Sequence, residues 1–229
     1  NPQWLEQWLD KQIQFDAVWE TKVVDRILHN MSLLLERSFT SVQELNRFRK
    51  EIAPDVEANL LAIPRKQRAM VRKGIKNGLR SEIDQDAGRF FALYADNVHR
   101  HGTPAMPKRY FDALHEVFAE DCEVLTVVDA GGRPLSSVLS FYFRDEVLPY
   151  YAGDKPAARD LAANDFKYWE LMRRSCERGL HVFDYGRSKQ GTGSYSFKKN
   201  WGFEPQPLAY EYCLYRRDSI PQNNPANAK

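Results

Sequence analysis

The sequence predicts an α/β (α+β) fold, a mixed sheet flanked by helices, with a helical segment in front of it. Three runs with high strand propensity, Glu123–Asp129, Pro134–Phe143 and Val147–Ala152, are separated by short turns and predict an antiparallel unit. A helix–strand–helix–strand series follows over residues 165–215. This order predicts a mixed sheet with helices on its faces, and by itself it selects no single superfamily.

The first part of the chain reads as helix. Residues 4–35 contain no glycine or proline, and apolar residues recur there at helical spacing. Ser41 with Glu44 has the pattern of a capping box, which predicts a second helix that Pro54 ends. These helices are expected to pack, and an oligomer formed through them is one expectation.

The pattern of predicted elements changes near residue 55, from helices alone to a series of helices and strands, and this change sets the expected domain boundary. We expect a helical N-terminal segment at 1–55 and one domain at 56–217. Residues 218–229 are polar and rich in proline and asparagine, which predicts a flexible tail.

Inside the domain, turn and cap residues set the expected elements. A helix is predicted from Pro64 to about Leu79, followed by a short strand at 79–83. Asp84 is expected to cap the next helix, and Pro107 to start another that ends at Phe118. The remaining predicted elements are a helix at 165–178 capped by Asp165, a strand at 180–183, a helix at 194–201 and a strand at 208–215.

Composition excludes several functional classes. The 229 residues are 43% hydrophobic and 28% charged with a net charge of +2, so overall charge indicates no partner. No apolar run reaches the roughly 20 residues that span a bilayer, and no signal peptide is recognised at the start. Three separated cysteines without a CxxC pair, and His99 and His101 without metal spacing, predict no metal site and a reducing, cytoplasmic setting.

The stretch that follows the predicted strand at 180–183 is the best candidate for chemistry. Asp184 ends this strand, and a basic loop with Gly191 and Gly193 leads into the next helix. Backbone N–H groups at a helix start can face an anion, and Arg187 and Lys189 add positive charge. An equally good interpretation is a solvated loop whose glycines serve only the turn.

The same stretch carries a resemblance to a known family. Residues 183–205 read FDYGRSKQGTGSYSFKKNWGFEP and resemble the C-terminal signature of the FemAB family, most closely the subgroup associated with exosortase and PEP-CTERM systems. Further similar stretches occur in the expected order at 63–68, 97–104, 150–153 and 164–170. The resemblance covers roughly residues 59–215.

This resemblance implies a GNAT-like fold and acyl transfer to an amine or hydroxyl. The implied donor is acyl-CoA or aminoacyl-tRNA, and the implied acceptor is a glycan, peptide or small-molecule precursor of the cell envelope or an exopolysaccharide. The family usually carries two such domains in tandem, and residues 1–55 do not resemble a complete first one. The implied location is the cytoplasm, at the inner face of the membrane.

The resemblance also assigns roles to single residues. Lys198 matches a family lysine that stabilises charge on the reacting carbonyl, the alternative being an exposed lysine with little effect on stability. Asp184 is a candidate base or amine-orienting group, or a cap for the following turn. The candidate substrate-binding residues are Tyr150, Tyr151, Arg187, Ser188, Lys189, Gly191, Thr192, Gly193 and Tyr195, with core packing as the alternative for the tyrosines.

A basic helix supplies the last candidate site. Residues 65–80 hold seven basic residues and no acidic one, which is unusual for a solvated helix. Its candidate anion-binding residues are Arg65, Arg68, Arg72 and Lys76. They suit tRNA phosphates, an anionic membrane surface or a nucleotide-linked acceptor. Alternative functions are therefore an RNA-binding protein and a catalytically silent GNAT-like binding module.

Overall fold

The computed structural model describes residues 40–212, with side chains described from 45 to 210. The chain divides into two compact units. One unit comprises residues 1–42 and 209–222, and the other comprises residues 43–208 and 223–229. The helices are α1 (Val56–Ala62), α2 (Arg65–Lys76), α3 (Gly88–Arg100), α4 (Lys108–Phe118), α5 (Ala163–Glu177) and α6 (Gly193–Asn200). The strands are β1 (Thr40–Glu51), β2 (Arg80–Asp84), β3 (Cys122–Val128), β4 (Pro134–Phe143), β5 (Glu146–Asp154), β6 (Val182–Lys189) and β7 (Pro205–Tyr212).

The strands form a mixed sheet in the order β2-β3-β4-β5-β6-β1-β7. Strands β2 to β5 pair antiparallel in sequence order, and β1 pairs antiparallel with β6. Strands β5 and β6 are parallel and are joined by α5, as a crossover connection requires. The prediction of a mixed sheet with helices on its faces is confirmed.

Helices cover both faces of the sheet. Successive side chains on a strand point to opposite faces, so neighbouring residues pack against different helices. On β3, Val124 joins a cluster with Phe111 of α4, whereas its neighbour Leu125 joins a larger cluster with Trp169 of α5. Burying side chains of this size contributes roughly 1.5–3 kcal/mol each. A strand buried on both faces reads as a continuous apolar run, which is why β3 was visible in the sequence.

The predicted second helix of the N-terminal segment is wrong. The structure forms strand β1 there, and this strand lies between β6 and β7 in the sheet. The capping-box pattern of Ser41 and Glu44 is a local signal, and pairing with β6 together with full burial of Phe48 overrides it. The predicted helix within 4–35, the oligomer through it and the tail at 218–229 lie outside the described residues.

Two predicted helix caps are also wrong, because each carboxylate has a tertiary partner instead. Asp84 ends β2, where it accepts a hydrogen bond from Thr126 at 2.9 Å and pairs with Arg89. Asp165 lies within the first turn of α5 rather than before it, and it accepts hydrogen bonds from Gln67 and Trp201 at 3.0 Å each. Both caps were inferred from local sequence, which contains no information on the distant partners Thr126, Gln67 and Trp201.

None of the helices between residues 40 and 212 is long and apolar enough to cross a membrane. Within the same part of the chain, no group of three or more His, Cys, Asp or Glu side chains is arranged to hold a metal ion.

Candidate functional site

A cavity lies where the two parallel strands separate. Strands β5 and β6 pair at two positions, Glu146 with Val182 and Val147 with Phe183, and further along they border a cavity of about 550 Å³. We call it the site cavity; it is lined by Arg47, Leu148, Pro149, Tyr150, Ala152, Tyr168, Asp184, Tyr185, Gly186, Arg187, Ser194, Lys198 and Leu208. Parallel strands that stop pairing leave edge N–H and C=O groups for a ligand, which suits an extended molecule with amide groups.

An irregularity in β5 directs Tyr150 towards this cavity. Pairing with β4 shifts register here: Leu139 opposes Tyr151 and Ser140 opposes Pro149, so Tyr150 is the extra residue of a bulge. Bulges re-aim side chains and are frequent beside active sites. The Tyr150 ring is 59% exposed, so it stands at the entrance of the site cavity rather than in the core.

Lys198 lies on α6 and extends its amine to the wall of the site cavity. The ammonium donates hydrogen bonds to the backbone carbonyl oxygens of Tyr185 at 2.6 Å and Arg187 at 3.1 Å. Burial lowers the pKa of Lys198 to about 8, and the charge of Asp184 acts in the opposite direction. At neutral pH the group is therefore mostly a cation, held by two carbonyl oxygens and only half-buried. A positive charge fixed in this way is suited to stabilise an oxyanion.

Asp184 is buried and both of its oxygens are engaged. One oxygen accepts from the Arg47 guanidinium, with Nε at 2.8 Å and Nη2 in contact, and the other accepts from the Gly186 N–H at 2.8 Å. The bond to Gly186 agrees with the predicted turn-capping role. Because Asp184 is paired with Arg47, a role in positioning Arg47 is favoured for this carboxylate, and a role as a base is disfavoured.

Tyr185 adds a hydroxyl to the same region. Its ring is buried among aromatic side chains, and its hydroxyl has no hydrogen-bond partner among the described residues. Burial, followed by the charges of Tyr168 and Asp165, raises the pKa of Tyr185 well above its usual value. The hydroxyl therefore stays protonated and is a hydrogen-bond donor.

A second cavity, of about 860 Å³, opens at the end of β5. We call it the basic cavity, because its lining contains Lys66, Arg100, His101, Lys155 and Arg159. The two acidic residues of its lining are engaged: Asp154 pairs with Lys167 at 2.9 Å, and Asp165 binds Gln67 and Trp201. The remaining excess of basic groups suits a ligand that carries phosphates.

The two cavities are neighbours, because β5, α5 and α6 each contribute to both. Along β5, Ala152 lines the site cavity and Asp154 the basic cavity. Along α6, Lys198 lines the first and the adjacent Phe197 the second. Two residues along a strand span about 6–7 Å, so one extended ligand can occupy both cavities.

The predicted substrate-binding residues divide into two groups. Tyr150 and Arg187 line the site cavity together with the predicted catalytic pair Lys198 and Asp184. Tyr151 packs instead against Phe111 of α4, with ring centroids 5.2 Å apart.

The remaining predicted residues of this group have contacts of other kinds. Ser188 and Lys189 lie in β6 opposite β1, because β6 is longer than the predicted strand. Gly191 and Gly193 flank Thr192, whose hydroxyl caps α6 by accepting from the Tyr195 N–H at 3.3 Å. The Tyr195 ring packs edge-on against Phe48. These residues are not among those that line the site cavity, and a direct role for them in binding stays a prediction.

The basic helix is α2, and its charged side chains are mostly exposed. Arg65, Arg72 and Lys76 are exposed, whereas Arg68 is half-buried and donates a hydrogen bond to the Leu61 carbonyl at 2.6 Å. Lys66 of the same helix lines the basic cavity. Of the basic residues of α2, only Lys66 thus lines the cavity, and a role of the exposed ones in anion binding stays a prediction.

Sequence reasoning missed Arg47 and the basic cavity. Arg47 lies on β1, which was predicted as a helix, so its contact with Asp184 was not foreseeable. The basic residues of the cavity come from α2, the end of α3 and the segment after β5, which are far apart in sequence. Lys66 carried a signal as part of the basic run at 65–80, and Arg100 and His101 lie in the family-like stretch 97–104, but nothing in the sequence joined these stretches into one cavity.

Comparison with known proteins assigns the fold to a family. The acetyltransferase (GNAT) domain profile matches residues 65–199, more than half of the chain. The chain belongs to the GNAT acetyltransferase family. The match includes β5, α5, β6 and most of α6, and so it contains every residue of the site cavity except Arg47 and Leu208. No curated protein matches the sequence of this GNAT domain.

Solved structures with low sequence identity share the GNAT fold. FemX aligns with a TM-score of 0.63 and 16% identity over 82% of this chain and 68% of its own. The C-terminal domain (DUF2156) of a putative lysylphosphatidylglycerol synthetase from Agrobacterium fabrum aligns with a TM-score of 0.57 and 12% identity over 76% of this chain and 61% of its own. A conserved protein of unknown function from Bacteroides thetaiotaomicron aligns with a TM-score of 0.57 and 10% identity over 83% of this chain and 67% of its own. The chain thus spans about two thirds of these structures, and the likeness shows the fold.

Proposed function

We propose that this GNAT protein is an acyltransferase that moves an acyl or aminoacyl group to an amine or hydroxyl of a cell-envelope or exopolysaccharide precursor. The observation that carries the proposal is the Lys198 ammonium, held by two backbone carbonyl oxygens at the wall of the site cavity. A fixed charge there accelerates acyl transfer because it binds the tetrahedral oxyanion more strongly than the ground-state carbonyl. The corresponding match of Lys198 to the FemAB signature supports the same role.

The donor is a molecule with an activated carbonyl and a phosphate-bearing end. Its carbonyl carbon lies in the site cavity beside Lys198, its amide-bearing stem follows the separating edges of β5 and β6, and its phosphates lie in the basic cavity. Acyl-CoA has these three features, and membership of the GNAT family supports it. Arg159 is the guanidinium group best suited to the phosphates, because a planar fork can bind two oxygens at once. Arg100 lines the same cavity and adds positive charge, although it is paired with Asp96 at 3.2 Å.

Aminoacyl-tRNA is the second candidate donor. The observation that favours it is the set of exposed basic residues Arg65, Arg72 and Lys76 on α2, the helix that also places Lys66 in the basic cavity. A macromolecular polyanion contacts such a surface at several phosphates, and its affinity then falls steeply with salt. Acyl-CoA, confined to the cavities, depends on salt much less.

The acceptor approaches past Tyr150. The exposed ring of this residue is at the cavity entrance, where it provides an apolar face and a hydroxyl for an acceptor. The FemAB resemblance of residues 183–205 supports membership of the exosortase and PEP-CTERM-associated subgroup, and with it a cytoplasmic site at the inner face of the membrane. For the organisation of the chain we propose a catalytic domain over 56–217, with β1 added to its sheet, and a tail at 218–229.

Native mass spectrometry tests the donor assignment. The protein is incubated with acetyl-CoA, and separately with a mixture of aminoacyl-tRNAs, at low and at moderate salt. We expect a one-to-one complex with acetyl-CoA that weakens when Arg100 and Arg159 are both replaced by Gln, and that is unchanged by Lys199→Gln. A complex with aminoacyl-tRNA alone selects the second donor. Binding of neither donor, or binding without transfer to any acceptor, supports a catalytically silent module; RNA binding without turnover supports the RNA-binding alternative.

A further inference from the structure

We propose that Lys198 is itself a site of covalent acylation by the acyl thioester that occupies the site cavity. The protein then carries a self-modification site whose product lacks the charge that the proposed transfer reaction uses. This inference rests on the proposed function in one respect, that an acyl thioester reaches the site cavity.

The geometry of the amine makes this reaction available. A lysine nitrogen has one bond to its own carbon and three further tetrahedral positions. Two of these point at the carbonyl oxygens of Tyr185 and Arg187, at 2.6 and 3.1 Å. Both bonds need only N–H donors, and a neutral amine still has two. The fourth position is not used by these two bonds, and we infer that it faces the site cavity that Lys198 lines.

The occupant of that fourth position changes with protonation. In the ammonium form it is a third N–H, a donor to an oxyanion. In the neutral form it is a lone pair, held in place by the same two hydrogen bonds and directed at the same ligand carbonyl. Lysines that are desolvated and beside other cations are the ones that act as nucleophiles in proteins.

The surroundings favour the neutral form more than a surface position would. Burial lowers the pKa of Lys198 to about 8. The charged groups that line the cavity with it are Arg47 on β1 and Asp184 and Arg187 on β6. The tyrosines among the lining residues are Tyr150, Tyr168 and Tyr185, and the hydroxyl of Tyr185 is buried. Asp184 is the charged group that raises the pKa of Lys198 against the effect of burial, and its carboxylate is shared with Arg47.

The step is an aminolysis that balances without a further reactant. The neutral Nζ attacks the carbonyl carbon of the thioester and forms a tetrahedral intermediate. The carbon–sulfur bond then breaks, the nitrogen loses a proton, and the departing thiolate takes one up as a free thiol. The product amide has one N–H and no lone pair available, so it can keep only one of the two carbonyl contacts and has no charge to offer.

Peptide mapping after incubation with two probes tests the proposal. The probes are acetyl-CoA and the acetyl thioester of N-acetylcysteamine, which lacks phosphates and so does not depend on the basic cavity. Lys199 is the internal control, since it is exposed and adjacent on the same helix. We expect Lys198 to be acetylated at least tenfold faster than Lys199, with a rate that rises about tenfold per pH unit below pH 8 and levels off above it.

The controls separate this inference from the proposed function. In Lys198→Arg the modification should vanish while Lys199 reacts as before. In a synthetic peptide of residues 193–203 both lysines should react alike. Equal rates for the two lysines in the folded protein, with acetyl-CoA seen to bind, overturn self-acylation and leave the donor assignment standing. Selective reaction of Lys198 with the small thioester, without binding of acetyl-CoA, supports self-acylation and rejects acyl-CoA as the donor.

Discussion

Replacing Lys198 by Met should make the fold more stable at neutral pH and not at alkaline pH. The pKa of this lysine is lowered from 10.5 to about 8 in the folded protein. The folded protein binds this proton less tightly than the unfolded chain does. The protonated lysine therefore lowers the free energy of unfolding at every pH below the folded-state pKa. Stability is regained as pH rises from about 8 towards 10.5, because the unfolded chain then binds the extra proton.

The size of the effect follows from the same two values. A pKa change from 10.5 to about 8 corresponds to at most about 3–4 kcal/mol. Lys198 is half-buried, and solvent screening reduces this to about 1–2 kcal/mol. The substitution also removes the hydrogen bonds to Tyr185 and Arg187, which offsets part of the gain by about 1 kcal/mol at all pH values. The hydrogen-bond contribution is the same at every pH, so the pH dependence of the free-energy difference between variant and parent reports the lysine charge alone.

Urea unfolding of the protein and of Lys198→Met at about pH 7 and about pH 10 gives the four free energies needed. The difference between variant and parent should be more favourable to the variant by about 1–2 kcal/mol at the lower pH. Lys199→Met, at the exposed neighbouring position, should show no such dependence on pH. A constant difference for Lys198→Met across this range would refute the assignment of a buried, destabilised cation.

Three further substitutions test other parts of the account. Gly153→Ala should destabilise the fold by about 2–3 kcal/mol in urea unfolding, because an added Cβ would lie 2.4–2.5 Å from the backbone of α3. The control is Gly193→Ala, since no atom lies within 4 Å of the Cβ that this substitution adds. Asp184→Asn should move the pH midpoint of lysine acetylation to lower pH, since this carboxylate raises the lysine pKa; an unchanged midpoint in peptide mapping contradicts that coupling. Reversing Arg72 and Lys76 to Glu should weaken aminoacyl-tRNA binding at low salt and have less effect as salt rises, and equal binding by both forms in filter assays would make α2 a solvated face.

Much of the fold could be predicted because its elements depend on local signals. Strand β4 was predicted with the bounds that it has, since an apolar run lies between two turns. Helix α4 begins after Pro107 as expected, because proline fixes the first turn. Strand β1 could not be predicted, since its burial against β6 depends on residues more than a hundred positions away.

The candidate site was only partly visible for the same reason. Lys198 and Asp184 were found because they lie within one contiguous motif that a family resemblance identifies. Arg47, which completes their charge arrangement, comes from β1 and carries no motif. Tyr150 and Tyr151 look equivalent in sequence, and only the bulge in β5 places one at the cavity and the other against α4.

The most direct test of the central claim is the rate of acetyl transfer in Lys198→Met compared with Lys199→Met. Thiol release from acetyl-CoA is followed at about pH 7 with a panel of amines and hydroxyl compounds, including amino sugars, as acceptors. We expect a fall in kcat on the order of a hundredfold for Lys198→Met, as for removal of one oxyanion donor, and a change of less than about twofold for Lys199→Met. Equal and mild effects of both substitutions would contradict a role for Lys198 in acyl transfer.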